Sequence, residues 1–418
     1  MIDDLKNIPS KVNLEQFDVS NFSPEKIRDL FKTGKVPTAE VMVEEIILRA
    51  VKAGATDLHL EPAEHELRIR IGSEGIIKKL IYLPKEISEN LASVFKTKGT
   101  LNAFEKRKPQ EGRFSINIGM HQFDIRISTV PVMYGERIAL RILEKNARVS
   151  DLEELGFSTT NLEKIKKLIR RPNGLFLVCG PAASGKSTTI YAAVNDIQSM
   201  EKNIITFENP IEYKLDFASQ VSISTDKTFT FADALRAILR QNPNIIMLGE
   251  IRDVETGIVA AEAALTGNLV LSTILANDAI GAIFRLLSMG IPPYWLASTL
   301  IGVVYQLLIR RICNNCREEC QHSDVEHGSF MSVFTGQIKF YRGRGCDKCN
   351  GTGYSGRTAI HEILIVNDEI RDLIYRNETL LKVKEAARAS GFETIFEDAI
   401  TKVNSGITTI SELARTIG

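Results

Sequence analysis

The stretch GPAASGKST, residues 180–188, places a cation and a hydroxyl directly behind a glycine-bounded loop. Gly180, Gly185, Lys186 and Ser187 fill the fixed positions of the template G-x-x-x-x-G-K-[ST]. Pro181, Ala182, Ala183 and Ser184 lie between the glycines, and Thr188 follows. Such a loop opens a helix whose free N–H groups attract anions. The N–H groups of residues 182–187 are expected to face the β-phosphate of a nucleotide. Lys186 then reaches the β- and γ-phosphates, and the Ser187 hydroxyl ligates Mg²⁺. The bland alternative is a glycine-rich turn, but an apolar strand (LFLVC) before the loop and a helical pattern (STTIYAAVNDI) after it supply the context that the template requires.

Two carboxylates have related positions. ITFE ends in Glu208, and IIMLGE ends in Glu250 behind Gly249. Phosphoryl transfer is mainly a problem of positioning and charge, so a carboxylate that orients water near Mg²⁺ is the expected equipment. Either glutamate alone reads equally as a solvated strand-end charge. Two of them on strands beside a phosphate loop read as catalytic.

A second chemistry lies in CNNC and CDKC, which hold Cys313 and Cys316, then Cys346 and Cys349. Two C-x-x-C pairs can give four thiolates to one tetrahedral Zn²⁺, closed and structural. A redox pair or an iron–sulfur cluster are the alternatives; redox motifs of this kind occur singly, beside a thioredoxin-like unit that is absent here. Cys320 is a spare thiol, and Cys179 reads as a core residue.

The elements that must position these groups follow from patterning. LFLVC, NIITF, NIIMLG and NLVLST are compact apolar runs, as expected of strands buried on both faces of a parallel sheet. Such a sheet binds ligands at its carboxyl ends. Upstream, TAEVMVEEIILRAVKAGA has helical spacing, whereas DLHLEP, ELRIRIG, IIKKLIYL, GRFSIN, HQFDIRIS and RIALRIL alternate like strands. The expected organisation is a short arm (1–35), a helix-and-sheet domain (36–145), a charged link (146–150) and an α/β domain (151–418). The last includes a zinc subdomain (310–356) and a mostly helical end (357–418). Residues 286–309 carry no charge, but Pro292 and Pro293 interrupt them. The remainder, 294–309, is shorter than the ~20 residues of a membrane span and reads as a buried helix. MIDDLKNIPS shows no basic region leading into an apolar run. Lys plus Arg and Asp plus Glu are both 52, a balance that argues against a dedicated nucleic-acid binder.

Three longer stretches, ITFENPIEY (205–213), RQNPNIIMLGEIRD (240–253) and AALTGNLVLSTILANDAIGAIFRLLSMG (263–290), resemble the ATPases of type II secretion systems and type IV pilus machines. The resemblance runs from about residue 36 to the C-terminus. It implies a RecA-like P-loop motor domain preceded by a PAS-like α+β domain. It also implies a homo-hexamer at the cytoplasmic face of the inner membrane that drives a membrane platform protein, with ATP, Mg²⁺ and Zn²⁺ as cofactors. KRKPQEGRF resembles the family segment that supplies one ATP-contacting arginine, here Arg113, and the next segment supplies Arg126 and, more distantly, Arg141. The tetracysteine resembles that of assembly-type members.

Several positions depart from the family pattern. Leu275 and Ala276 replace a usual His-Thr, and Asn268 replaces a second histidine. Asn209, Asn242 and Asn244 stand where aspartates are usual, and Ala182 and Ala183 where Thr and Gly are. Residues 72 and 73, Gly72-Ser73, replace Asp-Gly. Longer members place a separate docking domain before this region; with only about 35 residues ahead of the resemblance here, docking in its usual form is not expected. The expectation is a working but slow ATPase motor. A nucleotide-binding scaffold with little hydrolysis and a nucleic-acid motor are the competing readings.

Overall fold

The computed structural model describes Leu5 and residues 8–18, 37–145, 148–223, 231–320 and 339–418. Most of the expected arm (1–4, 6–7 and 19–35), residues 146–147 of the expected link and residues 321–338 of the expected zinc subdomain lie outside the described residues. The chain forms two compact units, Met1–Ala147 and Arg148–Gly418.

The first unit pairs helices α1 (Ala39–Lys52) and α2 (Ser88–Lys98) with a six-stranded sheet. Its strands are β1 (Asp57–Pro62), β2 (Glu66–Ser73), β3 (Ile76–Pro84), β4 (Gln110–Ile118), β5 (His121–Val132) and β6 (Gly135–Glu144). Their order is β3-β2-β1-β6-β5-β4, with every neighbour antiparallel. Alternation decides the faces. Leu58, Leu60, Ile69, Ile125, Ile127, Ile138 and Leu140 point into one core with Ile46 and Ile47 of α1 and Leu91 and Phe95 of α2. The alternate residues, many of them charged, point the other way. Leu5, Leu14 and Phe17, in the stretch expected as an arm, are buried in this same core. The strand reading passes over α2, although Leu91, Ala92 and Phe95 have helical spacing.

The second unit is a seven-stranded sheet covered on both faces. In chain order it contains α3 (Thr159–Ile169), β7 (Gly174–Cys179), α4 (Lys186–Ile197), β8 (Ile204–Glu208), β9 (Ser219–Ser222), α5 (Phe231–Leu239), β10 (Ile245–Leu248), α6 (Val254–Leu265), β11 (Leu269–Ile274), α7 (Ala279–Ser288), α8 (Pro293–Thr299) and β12 (Leu300–Ile312). β13 (Arg317–Cys320), β14 (Phe340–Gly343), β15 (Tyr354–Ile365), α9 (Asp368–Tyr375), α10 (Leu380–Ala389), α11 (Ile395–Asn404) and α12 (Ile410–Ile417) follow. The order is β15-β12-β7-β11-β10-β8-β9, and the strand pairs from β12 to β9 are all parallel. β7, β8, β10 and β11 are buried at every position, which is why they read as unbroken apolar runs.

Two expectations are corrected here. The buried helix expected over 294–309 is instead the short α8 followed by the long strand β12. Periodicity cannot separate a buried strand from a buried helix. The β-branched Ile301, Val303, Val304 and Ile309 favour the strand, and β7 and β15 satisfy its backbone on both sides. The helical C-terminal region begins at Asp368, because 354–365 is β15, the antiparallel edge strand. Among the described residues no helix is long and apolar enough to cross a membrane.

Candidate nucleotide site and metal centre

Parallel pairing sets the carboxyl ends of β7, β8, β10 and β11 along one edge of the sheet. The glycine-rich loop leaves β7 at that edge and enters α4 at Lys186. Its two glycines hold backbone conformations that other residues resist, φ +150° at Gly180 and +85° at Gly185. A Cβ at Gly180 would stand 2.5 Å from the Gln306 carbonyl oxygen and 2.6 Å from Ser184 Oγ. Ala183, where the family usually has glycine, is also left-handed at φ +60°. Pro181, Ala182 and Ala183 are exposed, whereas Ser184 is buried and Gly185, Lys186, Ser187 and Thr188 are half-buried. The loop thus turns its outer backbone to solvent and its inner side to the sheet.

Lys186 Nζ donates to the carbonyls of Gly180, at 3.0 Å, and Pro181, at 2.7 Å. Burial lowers its pKa, and the nearby Glu250 carboxylate works in the opposite direction. An ammonium held over the loop by carbonyls alone is placed to exchange them for phosphate oxygens.

The two glutamates have different surroundings. Glu250 follows Gly249 at the end of β10, partly open to solvent and ion-paired to Arg252 at 2.7 Å. Gly249 N–H donates to the Phe207 carbonyl at 2.8 Å, and a Cβ there would lie 3.3 Å from that oxygen, so the glycine lets β8 and β10 stay close where they end. Glu208, by contrast, is 3% exposed. Its carboxylate accepts from Tyr191 on α4, from Thr206 Oγ1 at 2.6 Å and from Gln220 Nε2 at 3.1 Å. The Tyr191 hydroxyl oxygen in turn accepts from the N–H groups of Glu212 and Tyr213, at 3.2 and 3.3 Å. Glu208 therefore ties α4 to β8 and β9, while only one Glu250 oxygen is paired among the described residues.

The altered positions divide between the two sheet edges. Asn209 and Leu275 follow β8 and β11 at the loop edge, both exposed. Asn242, Asn244 and Asn268 precede β10 and β11, at the opposite edge. There Asn244 Oδ1 accepts from the N–H of Asn203 at 2.8 Å, and Asn268 Nδ2 donates to the Ala263 carbonyl at 2.8 Å. Asn244 and Asn268 thus join strand and helix ends at the edge opposite the loop.

In the first unit, cross-strand register places Arg113 opposite Arg126, Arg126 opposite Arg141, and Arg141 opposite Asp57. Three guanidinium-bearing residues thus form one row across β4, β5 and β6 on the face turned from the core. Arg141 Nε donates to Asp57 Oδ1 at 3.2 Å. Arg113 and Arg126 have no carboxylate partner among the described residues. Like charges directly opposite one another in a sheet are destabilising, so the row is suited to an added anion.

The four cysteines of the C-x-x-C pairs come together, with every Sγ within 4.8 Å of the others. Cys313–Cys346, Cys316–Cys349 and Cys346–Cys349 are separated by 3.9, 3.8 and 3.7 Å between sulfurs. A tetrahedron with zinc–sulfur bonds of about 2.3 Å has edges of about 3.8 Å. The donor set fits one tetrahedral ion and is too tight to enclose a multi-iron cluster. Backbone N–H groups of Cys346 and Gly353 donate to Cys349 Sγ at 3.2 and 3.3 Å, and Asn315 Nδ2 donates to Cys346 Sγ at 3.3 Å. The Asn315 bond leads the effects that bring the Cys346 thiol down to about 6. Cys320 lies outside the set, on β13. Cys179 is buried, and burial raises its pKa well above the ordinary thiol value, as suits a core residue. Sequence reasoning missed Tyr191 and Gln306. The one available signal was polarity inside otherwise apolar elements, since a buried polar group requires a partner.

A parallel sheet covered by helices on both faces, with a glycine-rich loop at its carboxyl edge, defines the mixed α/β class that the sequence implied. A profile for the family described as Type II/IV secretion system protein matches residues 32–415. The type II secretion system ATPase E of Vibrio cholerae is 41% identical over 374 residues, covering 90% of this chain and 74% of the relative. The type IV pilus assembly ATPase PilB of Thermus thermophilus is 42% identical over 383 residues, but the match spans only 43% of its length. Among solved structures, the pilus retraction motor PilT with bound ADP superposes with a TM-score of 0.60 at 27% identity, covering 89% of this chain and 95% of that one. The Legionella pneumophila ATPase DotB shares the fold, with a TM-score of 0.64 at 20% identity over 90% of this chain and 95% of that one. The chain belongs to the type II/IV secretion system protein family.

Proposed function

We propose that this protein is a Mg-ATP-hydrolysing motor for type II secretion or type IV pilus assembly. The observation that carries the reading is the meeting of Lys186, Ser187 and Glu250 at one sheet edge, in a chain whose relatives are named as ATPases. Residues 180–188 bind the phosphates, Ser187 ligates Mg²⁺, and Glu250 orients the attacking water. Glu208 holds α4 in place through Tyr191. Arg113 and Arg126, with Arg141 beside them, neutralise charge that develops on the γ-phosphate, as arginine fingers do. Cys313, Cys316, Cys346 and Cys349 hold a structural zinc. The chain works as a cytoplasmic homo-hexamer at the inner membrane and acts on a membrane platform protein. Leu275 replaces a group able to hydrogen-bond with an apolar side chain at the loop edge, so hydrolysis is slow.

The exposed Leu275 also favours a second reading, a nucleotide-binding scaffold with little turnover. Steady-state ATP hydrolysis by the zinc-loaded protein separates the two, with its mass measured in the presence of nucleotide. The motor reading expects turnover by a hexamer, a loss of about 100-fold or more in Lys186→Ala and Glu250→Gln, and a gain in Leu275→His. Wild-type hydrolysis no faster than that of Glu250→Gln would select the scaffold.

A further inference from the structure

β12 passes behind the glycine-rich loop and presents there a single polar side chain, Gln306, which is 1% exposed. Both of its polar ends are used. Nε2 donates to the Ser184 carbonyl at 2.7 Å, and Oε1 accepts from Thr189 Oγ1 at 2.7 Å. The same residue limits the loop sterically: its carbonyl oxygen stands 2.5 Å from where a Gly180 Cβ would lie, and its Nε2 stands 3.0 Å from the corresponding point at Gly185. The Gln306 backbone thus meets the loop's first glycine, while its side chain meets the last glycine, the buried Ser184 between them and the first turn of α4.

The consequence follows from peptide planarity. In a trans peptide the carbonyl and the next N–H point in opposite directions. Drawing the Ser184 carbonyl inward onto Gln306 therefore turns the Gly185 N–H outward, to the side where the loop meets its ligand. The Thr189 bond fixes the rotation of α4 against the same strand, and with it the N–H groups of the helix's first turn. We propose that Gln306 is a positioning residue for nucleotide binding, which sets the direction of the loop amides and does not itself touch the phosphates. The inference rests on the phosphate-loop reading of residues 180–188.

The test uses the full-length, zinc-loaded protein and measures ATP dissociation constants, KM and kcat, together with thermal midpoint and zinc content. Gln306→Glu keeps the shape but removes the donor to Ser184; Gln306→Met removes both polar atoms without burying a charge. Each variant is expected to weaken ATP binding about ten- to hundred-fold, the scale of one lost hydrogen bond to a charged group. KM is expected to rise in step, kcat at saturation to change by less than about three-fold, and zinc content to stay the same. If Lys186→Ala loses ATP affinity while Gln306→Met keeps wild-type affinity, the role of Gln306 is overturned and the loop reading survives. If Lys186→Ala itself binds ATP normally, the loop reading fails and Gln306 falls with it. Should Gln306→Glu not fold, Gln306→Met decides. A lower melting temperature with unchanged affinity shows a merely structural role and overturns the proposal.

Discussion

His361 shows how one buried residue can give the whole chain a pH dependence. It stands opposite Gln306 on β15, fully buried, and neither ring nitrogen has a hydrogen-bond partner among the described residues. Its ring stacks on Phe157 with centroids 3.7 Å apart. Burial, and secondarily the charge of Lys402, hold its pKa well below the ordinary imidazole value, so the folded protein keeps it neutral. In the unfolded chain it takes up a proton below about pH 6.5. The unfolded state then binds more protons than the folded one, and stability declines as the pH falls below that point, by up to about 1.4 kcal/mol per pH unit. Urea unfolding between pH 7.5 and 5 is expected to show this slope, and His361→Phe, which keeps the aromatic stack, is expected to flatten it. Equal slopes in the two proteins would assign the acid sensitivity elsewhere.

Among the elements, β12 connects the most features. It pairs with β7 and β15, holds the loop through Gln306, and ends one residue before Cys313 of the four-cysteine cluster. Near that end Arg310 donates from its backbone N–H, Nε and Nη2 to Glu412 on α12, at 3.0, 2.8 and 2.6 Å. Burial alone would raise the Glu412 pKa, but bonds from Arg415 and Arg310 outweigh it and hold the carboxyl below its ordinary value. The strand is thus anchored on both sides before the metal site begins. Beyond it the chain is held by close backbone contact, since a Cβ at Gly343 would lie 1.9 Å from the Gly353 carbonyl oxygen, and by the proposed zinc site. Zinc removal by chelation is therefore expected to raise amide hydrogen exchange in residues 313–320 and 339–353, while ATP affinity changes by less than about three-fold, as for independent sites. A large loss of ATP affinity on chelation would show instead that β12 transmits strain from the metal site to the loop.

At the scale of the whole molecule, the proposed chemistry is divided between the two units. The phosphate loop belongs to Arg148–Gly418 and the arginine row to Met1–Ala147. Arg126 lies between Arg113 and Arg141 in register, so its removal relieves repulsion between like charges. Arg126→Ala is expected to lower kcat by at least about 100-fold if the row serves hydrolysis. Its melting temperature is expected to hold or to rise by about 1 °C. A parallel loss of activity and melting temperature would mean that Arg126 supports the fold and not the reaction.

Whatever depends on local spacing was legible in the sequence before folding was considered. Gly180, Gly185, Lys186 and Ser187 announced the loop, the paired C-x-x-C motifs announced the metal set, and four apolar runs announced the parallel strands. It misled where several conformations satisfy the same composition. Residues 294–309 are apolar enough for one buried helix, but the helix stops at Thr299, and partners on both sides, β7 and β15, make a strand of the rest. It also could not sort the polar residues near strands by sheet edge. Asn268 and Leu275 are seven residues apart in the chain, yet a six-residue strand carries them to opposite ends of the sheet. Glu208 and Glu250 look alike in sequence; one is buried under Tyr191, and the other is partly open to solvent and paired with Arg252. Partners supplied by residues distant in the chain, as Gln306 is to Ser184, exist only once the sheet is assembled, and no local pattern encodes them.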